Sequence, residues 1–134
     1  MQPHSAAIIN AFIYFLNNPD EKRVNVVVEY NKSRKSYTIE KLSQYSDNMT
    51  LRVAGFWTCS VTIKYQGHHA RTVHDNETQI REEFDFYPNA ILNGRVENSK
   101  FYKWFKGDIS EHGKRISFEA EYKGVPTRYT TYIR

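Results

Sequence analysis

The residue best placed to do chemistry is Glu82. It shares the alternation phase of Phe84 and Phe86, which mark the apolar side of an extended segment. Alternate residues of a strand point to the same face, so this phase directs the carboxyl group into an apolar interior. Burial would raise the pKa of that carboxyl and suit it to general acid chemistry or to holding a polar ligand group. The alternatives are a solvated position at the strand end and a structural ion pair with Arg71 or Arg128.

The histidines and the cysteine do not form a recognisable catalytic or metal site. His68 and His69 are adjacent and point to opposite faces of an extended strand, and His74 lies about 20 Å from His68 along it. Their spacing matches no zinc pattern. Cys59 alternates in phase with apolar neighbours, which predicts a buried and unreactive thiol. Since phosphate-loop and nucleophile motifs are also missing, we predict no metal site, no cofactor and no catalytic residue.

Four aromatic side chains are concentrated in the five residues 101–105. On a strand, Phe101 and Phe105 share one face, while Tyr102 and Trp104 share the other. Large aromatic side chains are costly to expose, so one set must contact a ligand, the helix or a second subunit. Tyrosine and tryptophan are frequent in ligand walls and interfaces. We therefore predict Trp104 as a ligand contact and Tyr102 as an interface residue.

Charge and cysteine content limit the choice of partner and compartment. The net charge is +4, from 19 basic and 15 acidic residues, and basic side chains alternate with acidic ones over residues 100–121. This mixture argues against nucleic acid as a partner. Cys59 is the one cysteine, so an intrachain disulfide is excluded, which favours a reducing compartment. The apolar stretch 6–16 is too short to span a bilayer. We therefore predict a cytoplasmic protein without a membrane span.

Helical periodicity is confined to the first segment of the chain. Apolar residues there recur at three- and four-residue spacing, Ser5 is a candidate N-cap, and Asn17-Asn18-Pro19 is a stop signal. The spacing predicts a helix over about residues 5–17. Its apolar arc is wide enough to need two partners, one of them the sheet and the other a loop or second subunit. Phe12 and Phe15 are therefore candidate interface residues of a homo-oligomer.

From about residue 23 onward the pattern is that of strands. Apolar and polar residues alternate clearly over 57–65, and the second half repeats this alternation between turn signals. We predict about eight to ten short strands in a single domain covering residues 1–134. The predicted fold is mainly β with one N-terminal helix, as a small antiparallel up-and-down β-barrel over about 23–134. In layout this resembles lipocalin-like (calycin) barrels, although the Gly-x-Trp of lipocalins is absent. The alternative is an α+β curved sheet wrapping a helix.

Three functions are compatible with this barrel. The leading hypothesis is non-catalytic binding of an apolar or aromatic small molecule in the interior, with Glu82 and Arg128 as polar anchors. The second is a protein–protein interaction module or homodimer that uses the helix and the outer aromatics of 101–105. The third is an acid/base isomerase or cyclase that uses Glu82. The predicted ligand-binding residues are Trp57, Tyr65, Glu82, Phe84, Phe86, Trp104, Phe118, Tyr122 and Arg128; the predicted interface residues are Phe12, Phe15 and Tyr102.

Overall fold

The fold is seen in a computed structural model that places one helix and nine strands. Residues 2–45, 48–55, 60–66, 69–76, 85–86, 108–110 and 114–134 are described. Helix α1 spans Pro3–Asn17. The strands are β1 (Arg23–Tyr30), β2 (Ser33–Gln44), β3 (Asn48–Val53), β4 (Ser60–Gln66), β5 (His69–Asn76), β6 (Asp85–Phe86), β7 (Asp108–Ser110), β8 (Arg115–Tyr122) and β9 (Val125–Ile133).

Helix α1 begins two residues earlier than the sequence predicts. Pro3 occupies the first helical position, where its fixed φ suits a helix and its missing N–H is not needed. Gln2 is the N-cap, so the predicted capping role of Ser5 is wrong. Ser5 instead lies in the first turn and is buried.

The end of α1 is the one predicted from Asn17-Asn18-Pro19. The side-chain amides of Asn17 and Asn18 donate to the carbonyls of Ile13 and Tyr14, at 3.0 and 2.9 Å. The backbone N–H of Asn18 also donates to the Tyr14 carbonyl, at 2.9 Å. These bonds reinforce the last helical turn with side-chain donors.

All the strand pairs are antiparallel and belong to one sheet. The strand order is β6-β5-β4-β3-β2-β1-β9-β8-β7, so two sequential meanders meet where β1 pairs with β9. This seam joins residues 26–29 to residues 130–133. Six strands form a strongly curled half-barrel, and the fold is mainly β with one helix in the described residues. At 15 residues, α1 is too short for a membrane crossing, and it is the only helix placed in the described part of the chain.

Two tight turns shape the same end of the sheet. Asn31 and Lys32 connect β1 to β2 with φ of 44° and 62°, and Lys123 and Gly124 connect β8 to β9 with φ of 50° and 78°. Two-residue turns with positive φ at both positions match the right-handed twist of the strands they join. The first connection consists of these two residues alone, because β2 begins at Ser33.

The helix packs on the inner face of the half-barrel and is buried on nearly all sides. It contacts β1, β2, β3 and β9. A strand layer that curls around a helix covers more of its circumference than a flat sheet does, which accounts for the wide apolar arc. The inner-face residues that share the buried core with α1 are Val24, Val26, Val28, Tyr30, Ile39, Met49, Leu51, Val53, Ile63, Ile116, Phe118 and Tyr129.

The outer face carries polar side chains paired across strands. Glu40 accepts hydrogen bonds from Arg23 on β1 at 2.9 Å and from Arg52 on β3 at 3.3 Å. The hydrogen bond from Arg23 is the largest influence on the carboxyl group, and it outweighs partial desolvation to hold the pKa of Glu40 below its usual value. Glu40 therefore links three neighbouring strands by charge.

Candidate binding site at the end of the inner face

Four aromatic rings form a continuous row across β8, β9 and β1. Phe118 and Tyr129 are paired residues of β8 and β9, and their rings stack at 5.3 Å with an interplanar angle of 18°. Tyr129 stacks on Tyr30 at 5.6 Å and 21°. Tyr122 meets Tyr30 edge-on, at 5.6 Å and 77°. Offset-stacked and edge-to-face contacts of this kind stabilise aromatic pairs beyond simple burial, so each ring of the aromatic row is held in place by its neighbours.

The aromatic row runs from the core to the surface. Phe118 and Tyr129 are fully buried, Tyr30 is 8% exposed, and Tyr122 is half-buried. Val125 pairs with Tyr122 across the β8–β9 turn and is 56% exposed. Tyr30, Tyr122 and Val125 thus form an apolar rim where the inner face reaches solvent.

The two turns hold the rim in place. Tyr30 immediately precedes the Asn31-Lys32 turn, and Tyr122 immediately precedes the Lys123-Gly124 turn. The Lys123 ammonium lies 5.4 Å from the centre of the Tyr122 ring, a cation–π distance. The rim therefore combines an aromatic surface with a positive charge.

A buried polar pair fixes the helix to the strand that carries Tyr129. Thr131 Oγ1 donates to Asn10 Oδ1 at 2.8 Å, and both residues are fully buried. Sequence reasoning did not find this pair. The available signals are weak: a single asparagine inside an apolar helix, and a threonine in phase with Tyr129 and Ile133.

The C-terminal end of the helix is held by Lys41. Its ammonium group donates to the Pro19 carbonyl at 2.5 Å and to Gln44 Oε1 at 2.6 Å, and it lies 5.2 Å from the centre of the Phe15 ring. Burial is the main cause that lowers the pKa of Lys41. Together with the Asn10–Thr131 pair, these contacts hold α1 at two points along the inner face.

Of the predicted ligand-binding residues, Phe118 and Tyr122 belong to the aromatic row. Arg128 does not point into the interior. It is exposed on the outer face and lies 3.7 Å from Glu119. The reason is the alternation of β9, in which Thr127 and Tyr129 face inward and the residue between them must face outward.

The predicted interface residues Phe12 and Phe15 lie in the core of their own chain. Their exposures are 1% and 0%. The curl of the sheet supplies the second partner that their helix needs, so no other subunit is required to cover them. This placement corrects the expectation that they are available to an interface.

The remaining predictions fall outside what the structure describes. Tyr65 and Phe86 have described backbones only, and both occupy register positions opposite Ala70 on β5. The predicted residues outside the described ranges are Trp57, Glu82, Phe84, Tyr102 and Trp104, together with Cys59 and His68.

Neither metal chemistry nor a relative identifies the site. Among the described residues, no group of three or more histidine, cysteine, aspartate or glutamate side chains is placed to hold a metal ion. No family model matches the sequence, and no significant similarity to a curated protein or a solved structure was found. The function must therefore be inferred from the rim and its chemistry.

Proposed function

We propose that the protein is a non-catalytic binding protein whose half-barrel holds a small apolar or aromatic molecule at the rim formed by Tyr30, Tyr122 and Val125. The observation that carries the proposal is the aromatic row, which continues from the buried core to a partly exposed tyrosine beside an exposed valine. Small-molecule sites are commonly lined by aromatic and aliphatic side chains with a few polar groups. The rim has this composition.

The helix determines where such a ligand would lie. Because α1 occupies the inner face against β1, β2, β3 and β9, a ligand deep among these strands would have to displace it. The end of the aromatic row is free of that conflict, since Val125 and part of Tyr122 are open to solvent. The proposed ligand position is therefore the rim and not the centre. Closure of the half-barrel into a lipocalin-like barrel, which would deepen the rim into a pocket, remains part of the proposal.

The expected contribution of the rim is modest and measurable. A favourable aromatic contact contributes about 0.5–1.5 kcal/mol beyond burial. Burial of apolar surface adds roughly 25 cal/mol for each Å² removed from water. Loss of the Tyr122 ring should therefore weaken binding of a flat aromatic molecule by about tenfold, which corresponds to roughly 1.4 kcal/mol.

The test is a titration with an uncharged aromatic dye whose emission rises in apolar surroundings. Tyr122→Ala and Val125→Lys should both weaken saturable binding, while Tyr122→Phe should retain it because the ring remains. Tyr45→Ala is the matched control, since Tyr45 is also exposed, at 65%, but lies at the β2–β3 turn. Equal dye binding by Tyr122→Ala, Val125→Lys and the control would remove the rim from the proposal. Circular dichroism of each variant shows whether the fold is retained.

A second candidate function is protein–protein interaction, including homodimer formation. Because α1 is buried, a partner protein would have to bind exposed residues of the strands and turns. Two large apolar side chains there are exposed, Leu42 at 48% and Tyr45 at 65%. Leu42 lies at the irregular register step of β2, where its side chain leaves the regular pairing. Light scattering of the wild type and of Leu42→Glu tests it: a dimer that dissociates in the variant supports this candidate, and a monomeric wild type excludes the homodimer. The acid/base alternative depends on Glu82, outside the described residues.

A further inference from the structure

A positive charge lies on the aromatic surface of the rim. The Lys123 ammonium is 5.4 Å from the centre of the Tyr122 ring. Lys123 belongs to the tight β8–β9 turn, where its φ is 50°. Among the described residues, no carboxylate lies within ion-pair distance of this ammonium. A molecule that covers the Tyr122 ring therefore meets a cation whose charge no described carboxylate balances.

The acidic residues at this end of the sheet face away from the rim. Glu29, Glu119 and Glu121 each lie between inward-facing residues of β1 or β8, so their side chains point to the outer face. Glu29 lies 4.0 Å from Arg34, and Glu119 lies 3.7 Å from Arg128. Two of the three carboxylates are therefore paired with arginines on the outer face.

A second lysine lies on the inner face beside the rim. Lys35 is exposed and sits directly opposite the buried Val28 in the β1–β2 pair, and directly opposite residues share a face. Tyr30 follows two positions later on β1, so Lys35 is its diagonal neighbour, within reach of a long side chain. Residues 28–35 and 118–129, which form the two hairpin ends, thus place basic but no acidic side chains on the inner face.

We propose that the molecule bound at the rim is an anionic aromatic, such as an aromatic carboxylate or sulfonate, whose charge contacts Lys123 and Lys35. This inference rests on the proposed function and selects one class among the apolar and aromatic molecules considered there. A neutral ring that stacks on Tyr122 competes with the ammonium for the ring surface. An anionic aromatic keeps the ammonium beside it as an ion pair, and a cationic one is repelled by both lysines.

The test is a pair of fluorescence titrations of the full chain with two dyes that share one aromatic skeleton. Anilinonaphthalene sulfonate carries a negative charge, and phenylnaphthylamine is the same molecule without the sulfonate. We expect the wild type to bind the sulfonate dye more tightly. Lys123→Gln should weaken binding of the sulfonate dye about threefold, the size of one exposed ion pair. Its affinity for the neutral dye should be unchanged or higher. Lys35→Gln should change the sulfonate affinity in the same direction.

Lys114→Gln is the matched control, because it removes the same charge from an exposed position far from the rim. Lys114 immediately precedes the eight-residue strand β8, and Tyr122 is the last residue of that strand. The two residues are therefore roughly 25 Å apart along the strand. This variant should bind both dyes as the wild type does. Tyr122→Ala should weaken binding of both dyes, which assigns the signal to the rim.

The outcomes separate the charge preference from the proposed function. Three results overturn the anionic class and leave the proposed function standing: equal affinity for the two dyes, a sulfonate affinity unchanged in both rim lysine variants, or an equal loss in Lys114→Gln. A loss in only one rim lysine variant supports the proposal and assigns the charge contact to that lysine. If neither dye binds in a manner that depends on Tyr122, the proposed function itself fails. Circular dichroism shows that each variant retains the fold.

Discussion

Thr131 and Asn10 form a hydrogen bond of 2.8 Å in the centre of the core, although they are 121 positions apart in the sequence. The bond connects the helix to the strand that forms one side of the seam. Both residues are fully buried, so the bond helps to hold α1 on the inner face.

Replacement of Thr131 by valine should reduce the free energy of unfolding by about 1–3 kcal/mol, because it removes one partner of a buried polar group while nearly preserving volume. Thr130→Val is the neighbouring control. Thr130 is half-buried on the outer face, and its change should cost about 0.5 kcal/mol or less. Urea unfolding followed by circular dichroism measures both, and equal losses would contradict a special role for the buried pair.

The two ends of the aromatic row should respond differently to truncation. Phe118→Ala should lower stability by about 3–5 kcal/mol, since it opens a cavity beneath the Tyr129 ring. Tyr122→Ala should be milder because Tyr122 is already half open to solvent. Urea midpoints at neutral pH provide the comparison. A larger loss for Tyr122→Ala would show that the rim belongs to the core.

The Glu40 cluster predicts a specific loss of stability in acid. The hydrogen bond from Arg23, aided by Arg52, lowers the folded-state pKa of Glu40 below its ordinary value of 4.5. The carboxylate therefore contributes stability above pH 4.5, and this contribution is lost as the pH falls through the folded-state pKa. Glu40→Gln should be less stable than the wild type at pH 7, and the difference should shrink as the pH falls below about 4.5.

The control for this pH experiment is Glu119→Gln. Glu119 pairs with Arg128 at 3.7 Å on an exposed surface, where ion pairs contribute little. Chemical unfolding is measured for the three proteins between neutral pH and about pH 3. A Glu40→Gln difference that stays constant over this range would contradict the assigned role of the carboxylate.

Backbone strain at the β8–β9 turn gives a fourth prediction. Gly124 has φ of 78°, and a Cβ atom built there meets nothing closer than Glu121 Oε1 at 4.0 Å. Gly124→Ala should therefore cost about 1–2 kcal/mol through its left-handed backbone alone. Lys32→Gly, at φ of 62°, should be neutral or stabilising in the equivalent turn. Thermal unfolding checks both, and a neutral Gly124→Ala would show that the turn adopts another conformation.

Local patterns predicted the local structure. The helix stop at Asn17-Asn18-Pro19, the antiparallel strands and the shared face of Phe118 and Tyr122 all follow from short-range spacing. The outward position of Arg128 was also predictable, since Tyr129 and Thr131 lie in the opposite phase. Its selection as an interior anchor relied on charge and overlooked the alternation of the strand.

Contacts between residues distant in the sequence could not be predicted from local spacing. The wide apolar arc of α1 indicates two contacts, but the pattern is identical whether the second is another subunit or the curl of the same sheet. The Asn10–Thr131 pair could not be predicted from neighbouring residues, because a single asparagine in a helix and a single threonine in a strand are both common. The buried Ser5 was misread as a cap, because serine near a helix start has that role so often.

The seam between β1 and β9 has a consequence for the order of folding. Val26 pairs with Ile133, so a contact near the middle of the sheet closes a loop of nearly the whole chain. Such pairings are slow because the conformational entropy of the long loop must be lost before the contacts between its two ends can form. Until β9 arrives, α1 lacks one of its covering strands and the Asn10 oxygen lacks the Thr131 hydroxyl. The protein should therefore fold slowly for its size, with the pairing of β9 to β1 as a late step.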